Sequence, residues 1–65
     1  MTFVEYLTQV RIQKSKYLLK MSSLPIDAIA HKTGFSNAGY FATIFKRLEG
    51  KTPTEYREMF QKLYS

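Results

Sequence analysis

Apolar residues recur along this chain at helical spacing, and strict strand alternation is absent. Four helical segments separated by short breaks account for the pattern, which predicts an all-α fold. The first runs from about Phe3 to Met21, opened by a capping box in which Thr2 and Glu5 satisfy each other's backbone N–H. Its apolar residues do not form one stripe. Phe3, Tyr6, Leu7, Val10, Tyr17 and Met21 cluster on one side, while Ile12, Ser15 and Leu19 lie more than ~100° away. A helix apolar on two sides needs two partners. The 44 residues that follow supply one of them. The pattern therefore predicts a neighbour outside this sequence that covers Phe3, Tyr6, Leu7 and Val10. The alternatives are later helices that wrap both sides, or a dimer formed through this face.

Ser22 and Ser23 break the pattern, and a short helix follows from about Pro25 to Thr33. Pro25 suits its first turn, Asp27 favours its dipole, and Ile26, Ile29 and Ala30 form its buried face. Gly34 ends it in a left-handed conformation. Ser36 is the expected N-cap of a third helix, Asn37 to Leu48. Tyr40, Phe41, Ile44, Phe45 and Leu48 give it one broad apolar face, Lys46 and Arg47 occupy its last turns, and Gly50 closes it. Thr52-Pro53-Thr54-Glu55 combines a capping box with proline at the first helical position. The fourth helix then places Tyr56, Met59, Phe60 and Leu63 on one face.

At 65 residues this is one small domain or part of one. Hydrophobic residues at 45% and charged residues at 23% exclude a disordered chain. Ten basic residues against five acidic give a net charge of +5, which points to a polyanionic partner without forming a basic tail. Cysteine is absent and His31 stands alone, which excludes disulfides, thiolate metal sites and a zinc site of its own. Asp27 precedes His31 by four residues, the spacing of a solvated helical pair. The three glycines fit no phosphate loop. No enzyme activity and no cofactor is expected. No apolar run approaches a membrane span and no secretory signal opens the chain, so a cytoplasmic protein is expected.

Two helices crossing steeply at a tight turn need a small residue at the approach and a residue tolerant of positive φ in the turn. Ala30 and Gly34 meet those needs, and this is the helix-turn-helix arrangement. A plain three-helix bundle could show the same spacing.

Longer stretches carry a more specific signal. They are Arg11-Ile12 with Ser15 and Leu18-Leu19, Ile26 with Ile29-Ala30, and Gly34-Phe35-Ser36. Tyr40-Phe41, Phe45-Lys46, Gly50 and Thr52-Pro53-Thr54-Glu55-Tyr56-Arg57 continue the series. In this order and spacing the chain resembles the second half of the DNA-binding domain of bacterial AraC/XylS-family transcription regulators, over about residues 3–57. That domain holds two helix-turn-helix units joined by a long helix. The resemblance implies that residues 1–22 are the joining helix. Residues 23–65 would be the second, homeodomain-like unit, a helix-turn-helix with a bracing C-terminal helix. The first unit would be the neighbour of Phe3, Tyr6, Leu7 and Val10.

The resemblance also implies double-stranded DNA as partner and a recognition helix over residues 37–48, with base contacts at Ala38, Gly39 and Thr43. Family members often carry Gln or Ser at the first two positions and Arg at the third, so modest base readout is expected here. Ala38 offers only a methyl, Gly39 offers no side chain, and Thr43 is a short donor or acceptor. Asn37 is the best remaining base or phosphate contact, with Ala42 on the same face. Lys46, Arg47 and the helix start at Ser36-Asn37 are expected at phosphates, with Lys14, Lys51 and Arg57 as further candidates. Solvated surface is the better reading for Lys14, Lys20 and Lys62. Arg11 is expected to form a structural pair or cap, and Tyr40, Phe41, Phe45, Tyr56 and Phe60 to belong to the core. The competing function is a helical protein-interaction module that uses the Phe3 face and binds no DNA.

Overall fold

A computed structural model describes the backbone of residues 1–64 and the side chains of residues 1–61. The expectations for Leu63 in the core and Lys62 on the surface lie outside the described side chains. Among the described residues there are four α-helices and no strand: α1 (Phe3–Met21), α2 (Ile26–Lys32), α3 (Ala38–Glu49) and α4 (Pro53–Tyr64). α1 packs on α2 and α4, α2 packs on α3, and α3 packs on α4. The molecule measures 38 × 20 × 17 Å.

Local chemistry sets the helix ends. Thr2 Oγ1 accepts from the Glu5 N–H at 3.1 Å, but no reciprocal bond from Glu5 forms, so half of the expected capping box is present. At α4 the box is complete. Glu55 N–H donates to Thr52 Oγ1 at 3.1 Å, and Thr52 N–H donates to Glu55 Oε1 at 2.9 Å. Pro53 is the first residue of α4, and it is buried. Both ends of α2 and of α3 shift by one residue from the expected bounds, and the two starts have a clear cause. Pro25 is the N-cap of α2 rather than its first residue, because its extended ψ of 154° precedes the helix while its carbonyl accepts from Ile29. Asn37 replaces Ser36 as N-cap of α3, because its Oδ1 reaches the Tyr40 N–H at 2.9 Å.

The core is Ile12, Leu19, Ile29, Ala30, Phe35, Phe41 and Phe45. A ladder of rings runs through it. Phe35, Phe41, Phe45, Tyr56 and Phe60 contact in sequence at centroid distances of 5.1, 5.8, 5.4 and 4.9 Å, in tilted and edge-on geometries. The ladder ties the corner to α3 and α3 to α4. Ser15 is buried where α1 meets the core, with its hydroxyl satisfied by the Ile12 carbonyl at 2.6 Å.

α2 ends in a Schellman motif. Phe35 N–H donates to Ala30 O at 2.9 Å and Gly34 N–H to His31 O at 3.2 Å, with Gly34 at φ +96°. Ala30 has no exposed surface. A Cβ on Gly34 would lie 2.7 Å from Arg11 Nε, so the guanidinium of α1 rests directly on the corner. Arg11 forms no hydrogen bond or ion pair among the described residues, which replaces the expected pair or cap by a packing contact. The expected Asp27–His31 pair is not formed either; Asp27 Oδ1 accepts from the Ala28 N–H at 3.0 Å.

Gly34→Ala should lower the unfolding free energy by about 1–3 kcal/mol, because it adds a left-handed backbone penalty to a clash with Arg11. Gly50→Ala, at φ +79° with nothing within 4 Å of the new methyl, should cost less. Urea denaturation of the two variants checks the order, and equal losses would mean that Arg11 yields freely. Glu55 makes a second measurement possible. Its carboxyl is held below its ordinary pKa, first by the Thr52 backbone N–H, then by the Thr52 hydroxyl, with Lys46 and Lys51 adding to both. A lowered folded pKa adds stability above the unfolded value of about 4.3, and that stability disappears as pH falls through the folded value. Acid titration followed by circular dichroism should therefore show a shallower stability loss below pH ~4.3 in Glu55→Gln than in the parent.

Candidate nucleic-acid interface

The rotation of α3 follows from what it buries. Phe41 and Phe45 have no exposed surface, and Ala38 and Ile44 pack against the same core. The opposite arc is bare: Gly39, Tyr40, Thr43, Lys46 and Arg47 are all exposed. The helix begins immediately after the corner, so the first turn of this arc projects from a fixed point.

The expected site residues divide into three groups. Gly39, Thr43, Lys46 and Arg47 share the exposed arc, with Ser36 and Asn37 exposed at its start. Ala38 is turned against the core and Ala42 is half-buried, so neither faces outward squarely. Two polar groups are partly engaged. Asn37 uses Oδ1 as the cap, leaving its Nδ2 as a donor, and Thr43 donates its hydroxyl to Gly39 O at 3.0 Å. A Cβ at Gly39 would lie 3.0 Å from Asn37 Oδ1, so the bare position and the cap fit each other.

Two residues expected in the core stand outside it. Tyr40 is 56% exposed and Leu48 is 46% exposed. Tyr40 sits on the flank of the broad apolar face, and Leu48 on that face in the last turn of α3, and the core reaches neither. Tyr40 was legible in one respect: helical phase puts it within ~20° of Arg47, a position that is polar in this sequence.

Charge on this face is positive. Lys46 and Arg47 lie in the last turn of α3, and neither forms a salt bridge among the described residues. The ion pair that does form is Lys16 to Glu49 at 3.1 Å, joining α1 to α3. Arg57, a candidate phosphate contact, is engaged elsewhere. It donates through Nε to Leu19 O at 3.2 Å and through Nη2 to Ser22 O at 3.3 Å, binding α4 to the carboxyl end of α1. Lys20 lies 5.1 Å from the Phe60 ring. Lys14 and Lys51 are exposed. No group of acidic and histidine residues among those described could hold a metal ion, and no helix is long and apolar enough to cross a membrane.

A corner of this geometry with a bare basic helix behind it invites comparison with known proteins. Residues 1–59 match the model of a family described as a helix-turn-helix domain, which is the AraC-type one. The chain belongs to the AraC family. Family relatives include the HTH-type transcriptional activator RhaR of Cronobacter sakazakii, 43% identical over 63 residues. That alignment covers 97% of this chain and 22% of the relative. RhaR of Salmonella arizonae is 42% identical over 59 residues, covering 91% of this chain and 21% of the relative. The chain thus spans about a fifth of the length of these AraC-family relatives. A solved structure agrees with the fold. The C-terminal domain of the two-component response regulator yesN from Fusobacterium nucleatum superposes with a TM-score of 0.85 at 40% identity. The superposition covers 88% of this chain and 55% of that one. AraC-family membership makes this chain part of a DNA-binding regulator family.

Proposed function

We propose that the chain reads duplex DNA as part of a transcription regulator longer than itself, with α3 lying in the major groove. The observation that carries this reading is the bare arc of α3, bounded by Lys46 and Arg47 and placed after the tight corner at Ala30 and Gly34. Sequence readout by this helix is modest. Gly39 and Ala42 offer no hydrogen bond, and Thr43 returns its own to the helix, so Asn37 Nδ2 is the principal base-edge donor. Phosphate contacts by Lys46, Arg47 and the α3 N-terminus supply most of the affinity.

In this reading α1 is the joining helix, residues 1–22, and residues 23–65 are the second helix-turn-helix unit. Phe3 is 76% exposed and Tyr6 is 58% exposed, with Leu7 and Val10 half-buried beside them. A first helix-turn-helix unit of the parent protein covers this face. The length of the relatives supports a parent with room for such a unit.

Titration of a fluorescein-labelled, mixed-sequence 20-bp duplex tests the reading. Binding should weaken steeply with salt, and Lys46→Ala and Arg47→Ala should each reduce the log–log salt slope by about 1. Affinity that is unchanged between low and high salt would overturn it. The α1 face has its own measurement. Phe3→Ser should alter the stability of this chain by less than about 0.5 kcal/mol, because the ring is already in water. The same substitution in a parent carrying the neighbouring unit should cost more than about 1 kcal/mol, and equal effects in the two would refute the covering unit.

A further inference from the structure

We propose that Tyr40 is a phosphate-contacting residue of α3, its phenolic O–H donating to a backbone oxygen of the DNA strand on the Arg47 side of the groove. The proposal rests on the duplex reading above and adds a contact that neither the sequence pattern nor that reading assigns.

Reach is the first argument. Within the first six residues of α3, Gly39 has no side chain, Ala38 packs against the core, Ala42 is a half-buried methyl, Phe41 is buried, and the Thr43 hydroxyl is returned to a carbonyl. Tyr40 is therefore the one exposed side chain in that stretch that extends beyond a γ atom. A recognition helix enters the groove by its N-terminal residues, so this is where reach matters.

Position is the second. At roughly 100° per residue, Thr43 lies at the centre of the exposed arc, Tyr40 and Arg47 on one side, and Gly39 and Lys46 on the other, with Lys46 about 120° from Tyr40. A helix lying in the major groove is bordered by one strand on each side. Tyr40 and Arg47 thus form a ridge facing one strand, and Lys46 faces the other. A phenol on such an edge is a phosphate donor by chemistry.

Preorganisation is the third. The Tyr40 ring lies 6.2 Å from the Phe35 ring at 54°, and Phe35 is buried at the corner. The phenol is held by a fixed ring, so little freedom is lost when it binds.

The test uses Tyr40→Phe and Tyr40→Ala in the full chain, with the mixed-sequence 20-bp duplex and a 20-bp library of randomised sequence. Tyr40→Phe should bind roughly tenfold more weakly. The loss should be equal across library sequences and leave the salt slope unchanged, since a phenol carries no charge. Melting temperature should stay at the parent value, because the ring still packs on Phe35. Tyr40→Phe that binds like the parent, with only Tyr40→Ala weakened, would overturn the contact and assign the ring to packing. A loss confined to one base position would overturn it in favour of base readout. In both cases the parent chain still binds duplex and the broader reading stands. A parent chain that binds no duplex at low salt sinks both.

Discussion

Phe41 and Phe45 stand about one helical turn apart with no surface left in water, and their burial sets the rotation of α3 about its own axis. Each ring removed from solvent contributes on the order of 2–3 kcal/mol, a large share of what a chain of this size can muster. A tilted contact with Phe35 on one side and an edge-on contact with Tyr56 on the other make the arrangement directional as well as greasy. Rolling α3 by a third of a turn would drown one ring and bury a lysine. The outward arc is therefore a by-product of the inward one, and its chemistry was free to vary while its direction was not.

The tilt of α3 comes from a second source, the corner. Two backbone bonds close α2, Gly34 takes the left-handed conformation they require, and Arg11 fills the space that the missing Cβ leaves. α1 is thus in contact with the turn as well as with the core. The Lys16–Glu49 pair and the Arg57 bonds to Leu19 and Ser22 fasten α1 to the end of α3 and to the first half of α4. Lys16 and Glu49 are partly exposed, so this pair contributes modestly and screens with salt. The Arg57 bonds also place a cation against the carboxyl end of α1, where the helix dipole welcomes it.

Much of this was legible because it is local. The Thr52–Glu55 box, the Gly34 stop and the spacing of Phe41 and Phe45 are written within a few residues of one another, and each formed where it was expected. Local rules also shifted the caps by one residue, since both serine and asparagine can cap and only geometry chooses between Ser36 and Asn37. What pattern could not show was the width of the core. Hydrophobicity alone assigns Tyr40 and Leu48 to the inner face, but both line open grooves against the amino-terminal half of α1 and stay largely exposed. Arg57 was read as a surface cation because its partners lie 38 and 35 residues away. The two-sided apolar pattern of α1 was visible, and the described helices fully bury only its Ile12–Ser15–Leu19 side, leaving Leu7 and Val10 half-buried and Phe3 and Tyr6 exposed.

The snug relation between Gly39 and the Asn37 cap has a consequence for how this helix could acquire a new target. Any side chain at 39 long enough to discriminate bases begins with a β carbon 3.0 Å from the amide oxygen that closes the helix. Retargeting at 39 therefore asks the cap at 37 to give by a few tenths of an ångström, which couples the two positions. Directed-evolution libraries that vary the two codons jointly would reach solutions that stepwise walks, one codon at a time, pass by.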